Sequence, residues 1–210
     1  MKGTSSKIRI LIADDHTIVR MGLAALLNTE KDFEIVGQAK NGDEAVTQTV
    51  SLKPDIVIMD LVMPKKDGVS ATVDIGNRAP ASKIIILTTF GTSDGIAYAL
   101  EAGAKGALLK NADNSQLVEA IRIVKNGGLF ISEEIRHQLA VDPPLPVLTP
   151  RQKEILESLV RGLTDRDIAK QLHIRPDTAS DHVSAIIAKL GAANRTEAVG
   201  IALRKHLIKI

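Results

Sequence analysis

The 210-residue sequence contains no cysteine and no tryptophan, one tyrosine and three phenylalanines. Without cysteine there is neither a disulfide framework nor a thiolate metal site, which suits a cytoplasmic protein. No apolar run approaches the roughly 18–20 residues that a membrane-spanning helix needs, so no membrane partner is expected. Residues 1–6 lack the hydrophobic segment of a signal peptide and are predicted to be a disordered tail.

Charge is unevenly distributed along the chain although its net charge is only +2. Residues 1–140 carry 16 Lys/Arg against 17 Asp/Glu, whereas the segment from Val147 onward carries 11 against 7. A basic C-terminal segment is a mild electrostatic indication of nucleic-acid binding. The 44% apolar and 25% charged content is typical of a globular protein.

Short apolar runs alternate with stretches of helical spacing over the first 128 residues. Because helices separate the runs, the βα units in series predict a parallel sheet of five strands with helices on both faces. No Gly-x-Gly-x-x-Gly follows the first run, which disfavours a dinucleotide-binding fold. The predicted strands are Ile8–Ala13, Glu34–Ala39, Asp55–Met59, Lys83–Thr88 and Gly106–Leu109.

Glycines, prolines and helix-capping residues in the rest of the sequence predict the domain boundaries. Gly127-Gly128 ends the βα series, so residues 7–128 are predicted to form one domain. Residues 129–147 are predicted to be a linker with a short helix. Three prolines in four residues follow the helix, and they favour an extended chain. Residues 148–210 are predicted to form a smaller all-α domain of four helices, three of them begun by capping residues, namely Thr149, Thr164 and Asn194.

Polar residues follow the C-terminal ends of four predicted strands, where parallel sheets place their functional sites. Each has an ordinary structural explanation when taken alone, since acids cap helices and threonine favours strands. Three carboxylates at one sheet edge, however, repel each other unless a cation lies among them, and oxygen ligands favour a hard ion such as Mg²⁺. An aspartate beside such an ion could attack a phosphoryl group. The residues are Asp14, Asp15, Asp60, Thr88 and Lys110.

These residues carry a resemblance to a known family. Asp14-Asp15-His16, the segment from Asp60 to Gly68, Thr88 and Lys110 look like the receiver-domain signature. The run 127–132 is similar to the end of that domain in the NarL/FixJ family, and residues 148–152 and 194–198 resemble a LuxR-type helix-turn-helix. The chain thus resembles a NarL/FixJ-family two-component response regulator over nearly its whole length, which implies a doubly wound, flavodoxin-like α/β receiver.

The resemblance implies a role for each residue at the sheet edge. Asp60 would be the phosphoacceptor. Asp15, Asp60 and the Val62 carbonyl would bind Mg²⁺, with Asp14 helping through water. His16 lies near these acids, but no second histidine stands at ligand spacing, so a transition-metal site is not expected.

The resemblance also implies the partners. A sensor histidine kinase would phosphorylate the chain; Thr88 would then reposition and Lys110 would contact the phosphoryl group. Phosphorylation would control homodimerisation and binding to double-stranded DNA, so the protein would regulate transcription and would not be an enzyme.

The predicted DNA-reading surface departs from the family pattern. Arg175 stands where the family often has a helix-capping serine, and the recognition helix is acidic. Asp181 is predicted to read a cytosine, whereas Arg175, Lys189 and Arg195 are predicted to hold the DNA backbone. The full set of predicted DNA contacts is Arg175, Asp177, Thr178, Ser180, Asp181, His182, Ser184, Lys189 and Arg195.

Two alternatives and one further departure accompany this interpretation. A phosphohydrolase using Asp60 as nucleophile would need an acid two residues later, where this chain has Val62. A phosphorylation-responsive interaction module with weak or no DNA binding stays open because of the acidic helix. Receivers usually have an aromatic residue three positions before the lysine, but this chain has Ala107, so activation is not expected to use rotation of a ring.

Overall fold

The computed structural model describes residues 7–89, 93–145, 148–205 and 207–208. The predicted tail at 1–6 lies outside these residues, as do Pro146 and Val147 at the end of the predicted linker. The chain divides into two compact units, 1–143 and 144–210. No helix among the described residues is long and apolar enough to cross a membrane.

The first unit is a six-stranded parallel sheet with strand order β2-β1-β3-β4-β5-β6. This confirms the predicted α/β class. The strands are β1 (Ile8–Ala13), β2 (Phe33–Ala39), β3 (Ile56–Met59), β4 (Lys83–Thr88), β5 (Gly106–Leu109) and β6 (Phe130–Ile131), and the helices are α1 (Thr17–Leu27), α2 (Gly42–Leu52), α3 (Gly68–Arg78), α4 (Ser93–Glu101), α5 (Asn114–Lys125) and α6 (Glu133–Val141).

Alternation along the strands builds a core on each face of the sheet. In β1, Leu11 and Ala13 join one apolar cluster while Ile10 and Ile12 join the other, as the two-residue period of a strand requires. All four residues of β3 are buried. Polar groups therefore reach solvent mainly where the strands end, and this places the candidate site at the carboxyl edge.

The sheet has one strand more than the five predicted, because the segment predicted as linker begins within the first unit. Ile131 pairs with Ala107, and the Ser132 amide donates to the Ala107 carbonyl at 3.0 Å. Helix α6 follows, with Ile135 fully buried against the core that contains Ala107. A two-residue strand is too short to show a period of two, so the sequence pattern could not reveal β6.

The described residues of the second unit form four helices around one apolar cluster. They are α7 (Pro150–Val160), α8 (Asp165–Gln171), α9 (Pro176–Lys189) and α10 (Arg195–Arg204). Thr149 and Gln152 cap α7 reciprocally, whereas Arg175 at the N-cap of α9 makes no side-chain capping bond, as its residue type predicts. Ala179, Val183, Ile186 and Leu190 are buried, so the opposite face of α9 is exposed.

Candidate functional site

Asp14, Asp60 and Lys110 come together at the carboxyl edge of the sheet. Strands β1 and β3 are neighbours, and the Asp60 amide donates to the Ala13 carbonyl at 2.8 Å, which sets the two aspartates side by side. Lys110 Nζ lies 2.8 Å from Asp60 Oδ2 and 2.5 Å from Asp14 Oδ2. All three side chains are at most 8% exposed, so this is a buried ionic cluster.

Burial and the charge of the ion-pair partner shift the pKa values of Asp60 and Lys110 in opposite directions. Burial raises the pKa of the Asp60 carboxyl, the nearby Asp14 charge raises it further, and the ammonium of Lys110 opposes both. Burial alone would lower the pKa of Lys110, but its hydrogen bonds to Asp14 and Asp60 raise it, which keeps the ammonium charged. Asp60 is therefore a destabilised carboxylate next to a fixed positive charge.

Asp15 brings a third carboxylate to the edge and leaves one oxygen unsatisfied. Its Oδ1 is buried without a hydrogen bond among the described residues, although His16 Nδ1 lies 2.8 Å away. One possible ligand atom each from Asp14, Asp15, His16 and Asp60 falls within a 4.8 Å group. Three acids against one lysine, with a buried carboxylate oxygen that accepts no hydrogen bond among the described residues, fit a divalent cation.

The loop between β3 and α3 runs directly over Asp60. Gly68 donates its amide to the Leu61 carbonyl at 2.9 Å, and a Cβ at this position would stand 2.1 Å from the Asp60 carbonyl oxygen. Only glycine fits this approach. Val62, whose carbonyl is the predicted metal ligand, lies in the same loop and is exposed.

Thr88 and Lys110 are neighbours across the β4–β5 pair. Thr88 is buried at the end of β4, and its carbonyl accepts from the Lys110 amide at 2.7 Å. A movement of Thr88 would therefore act on the residue that holds Asp60.

The exposed face of α9 carries acids and hydroxyls. Among the predicted DNA contacts on this helix, His182 is half-buried and the others apart from Lys189 are exposed: Asp177, Thr178, Ser180, Asp181 and Ser184. A helix face of this kind can accept hydrogen bonds from base amino groups, but it repels phosphates.

The three predicted backbone-holding cations differ in their surroundings. The Arg175 side chain is 85% exposed and lies 3.9 Å from the Asp177 carboxylate. Lys189 donates to Gln152 at 3.1 Å. Arg195 pairs with Asp165 at 2.5 Å and donates to a backbone carbonyl of the α7–α8 turn, so it ties α10 to that turn.

Family comparison matches both units. Residues 10–122 match the response regulator receiver domain, and residues 146–202 match the bacterial regulatory proteins of the luxR family. This chain belongs to the response regulators. It combines a receiver domain with a LuxR-type DNA-binding domain, and its family is one of transcription regulators, not of enzymes.

Curated relatives cover almost the whole response regulator. It is 38% identical over 209 residues to the transcriptional regulatory protein LiaR of Bacillus subtilis, covering 96% of this chain and 99% of the relative. It is 35% identical over 216 residues to the oxygen regulatory protein NreC of Staphylococcus aureus, covering 96% and 100%.

Solved structures of response regulators also match this chain. The response regulator ChrA of a heme-sensing two-component system matches with a TM-score of 0.58 and 36% identity, covering 97% of this chain and 100% of ChrA. A structure of RcsB dimers bound to DNA matches with a TM-score of 0.67 and 25% identity, covering 94% and 98%.

Sequence reasoning gave no role to two side chains that brace the pocket of this response regulator. Arg20 donates to the Asp14 carbonyl at 2.7 Å from the first turn of α1. Lys66 bonds Asp74 and also lies 3.1 Å from Asp43, so it joins the β3–α3 loop to two helices. Each contact reaches outside the helix or loop that carries the cation, so the period of a single element does not identify it.

Proposed function

We propose that this response regulator is a phosphorylation-controlled transcription regulator in which a sensor histidine kinase phosphorylates Asp60. The observation that carries the proposal is the buried Asp60 carboxylate, which is held 2.8 Å from Lys110 beside two further acids. Phosphorylation then favours a homodimer, which binds two half-sites of double-stranded DNA through α9.

Each residue of the pocket has its own role in the proposed phosphoryl transfer. A carboxylate oxygen of Asp60 attacks the phosphorus of the kinase phosphohistidine; the new P–O bond forms as the P–N bond breaks, and the nitrogen keeps the electron pair. Lys110 neutralises the charge of the transferred group. Asp15, Asp60 and the Val62 carbonyl would hold Mg²⁺, with Asp14 assisting through water, and the ion would supply further charge neutralisation.

The test of this function is DNA selection from a randomised pool with and without a small-molecule phosphodonor. A response regulator of the proposed kind enriches a two-fold symmetric site, and enriches it more strongly when phosphorylated. The acidic face of α9 favours one other candidate, an interaction module that has weak or no DNA binding. Absence of any enriched sequence in both states would support that candidate instead.

Asp181 is proposed to read a cytosine, since the exposed carboxylate can accept a hydrogen bond from the cytosine amino group. Asp181→Ala should raise non-specific affinity and relax preference at one base pair in each half-site. The expected loss of discrimination is about 1–3 kcal/mol. Both effects can be measured by binding of a randomised-site library at two salt concentrations.

Asp177→Ala is the matched control for this substitution. Asp177 lies in the first turn of the same helix, where a carboxylate interacts favourably with the helix dipole whether or not it reads a base. Its removal should raise non-specific affinity without changing base preference. An unchanged base preference in Asp181→Ala would contradict the reading role and leave only general repulsion.

We propose that the conformational change on phosphorylation is transmitted from α4 to the linker, because Ala107 has no ring that could rotate to transmit it. Ser93 Oγ at the start of α4 donates to Asp142 Oδ2 at 3.1 Å, and Asp142 is the C-cap of α6, directly before the prolines. Displacement of Ser93 would weaken the hold on the linker and favour dimerisation. Ser93→Ala should therefore raise the unphosphorylated dimer association constant roughly ten-fold, as expected for about 1.5 kcal/mol of a charged hydrogen bond.

Sedimentation velocity of the unphosphorylated protein measures this effect. Ser82→Ala is the control, because Ser82 is also a buried serine whose hydroxyl makes one hydrogen bond, at 2.6 Å to the Pro54 carbonyl. It should leave the association constant unchanged. A Ser93→Ala protein that stays as monomeric as the wild type would refute the route through Asp142.

A further inference from the structure

His16 is an imidazole at the edge of the acidic pocket that the phosphorylation chemistry does not use. Its Nδ1 lies 2.8 Å from Asp15 Oδ1 and 3.4 Å from Asp14 Oδ1. The residue occupies the N-cap position of α1, yet its side chain makes no capping hydrogen bond. The ring is turned toward the carboxylates instead.

The spacing of His16 and Asp15 matches that of two adjacent metal ligands. In octahedral coordination at about 2.1 Å, neighbouring ligand atoms stand about 3 Å apart. The pair already has this separation, and the Asp15 oxygen accepts no hydrogen bond among the described residues. A cation bound to both atoms would satisfy that oxygen.

We propose that His16 is a direct nitrogen ligand of the divalent cation in this pocket, and that the site therefore prefers Mn²⁺ to Mg²⁺. Divalent ions of the first transition row accept nitrogen ligands, with Mn²⁺ the weakest binder of the series, whereas Mg²⁺ takes oxygen ligands almost entirely. The inference rests on the proposed function only in taking Asp15 and Asp60 as ligands of a divalent ion. It adds one protein ligand and a metal preference to that site, and it replaces the expectation from the sequence that a lone histidine disfavours a transition-metal ion there.

The competing geometry is an outer contact, in which His16 only donates a hydrogen bond to Asp15. Both geometries would weaken metal binding when His16 is removed, so an affinity measurement alone does not separate them. Pulsed electron paramagnetic resonance of bound Mn²⁺ does, because a directly ligated imidazole gives a characteristic ¹⁴N modulation.

The experiment compares wild type, His16→Ala and His137→Ala, each loaded with Mn²⁺ without any phosphodonor. His137 is an exposed histidine on α6 and controls for the loss of an imidazole elsewhere. We expect ¹⁴N modulation in wild type and His137→Ala and its loss in His16→Ala. Mn²⁺ affinity should fall about ten-fold or more in His16→Ala, while Mg²⁺ affinity changes less than about two-fold, because Mg²⁺ does not need the nitrogen.

Each other outcome has a definite meaning. If wild type binds Mn²⁺ without ¹⁴N modulation, or if His16→Ala retains the modulation, His16 is not a metal ligand. Either result leaves the proposed phosphorylation site unaffected. Failure of Mn²⁺ and Mg²⁺ to bind wild type at all overturns both the ligand and the proposed cation site. Because His16 is 69% exposed and makes no cap, its substitution should leave the fold intact, which circular dichroism verifies.

Discussion

Asp60→Ala is expected to accept no phosphoryl group, whereas the wild type should gain one from a small-molecule phosphodonor and Mg²⁺. Among the described carboxylates, Asp60 is the one that is both held by Lys110 and set beneath the loop from Leu61 to Gly68, and burial raises its pKa. A carboxylate in this position can attack phosphorus while Lys110 receives the transferred charge. Intact-mass measurement before and after incubation gives the result directly.

Asp55→Ala is the control for that experiment. Asp55 precedes the same strand, β3, at its opposite end, and it pairs with Lys125 at 2.6 Å. It should gain one phosphoryl group as the wild type does. Retention of the mass shift in Asp60→Ala would place the acceptor elsewhere and remove the basis of the proposed function.

Gly68→Ala is expected to unfold the first unit more readily and to abolish phosphorylation. The new Cβ would stand 2.1 Å from the Asp60 carbonyl oxygen, so the backbone of the acceptor must shift. Crowding of a packed site costs typically about 1–3 kcal/mol. Tyr98 is the one tyrosine of the chain and there is no tryptophan, so tyrosine fluorescence during urea unfolding reports the first unit within the whole protein.

Gly76→Ala is the matched control on the same helix. A Cβ at Gly76 would meet its nearest atom, the Ala102 carbonyl oxygen, at 3.8 Å, which is an ordinary contact. Because alanine is favoured over glycine in a helix interior, this change should stabilise the unit by about 0.5–1 kcal/mol. Equal unfolding midpoints for the two variants would show that the close approach at Gly68 does not affect the free energy of unfolding.

Local periodicity and residue type determined most of the fold. Five of the six strands, the three helix caps at Thr149, Thr164 and Asn194 and the inward face of α9 follow from patterns within one segment. The candidate pocket was also predictable from the sequence, because residues that end adjacent parallel strands must meet at one edge. Asp14, Asp60 and Lys110 do meet there.

Ion pairs between different elements were decided by tertiary structure alone. Lys66 joins Asp43 and Asp74, and Arg195 pairs with Asp165, although an exposed cation has the same local pattern whether it contacts DNA, solvent or an acid. The strand β6 forms only because β5 offers a free edge to two residues. A sequence pattern records which side of an element is buried, but it does not record which element covers it, since that depends on how all of them pack.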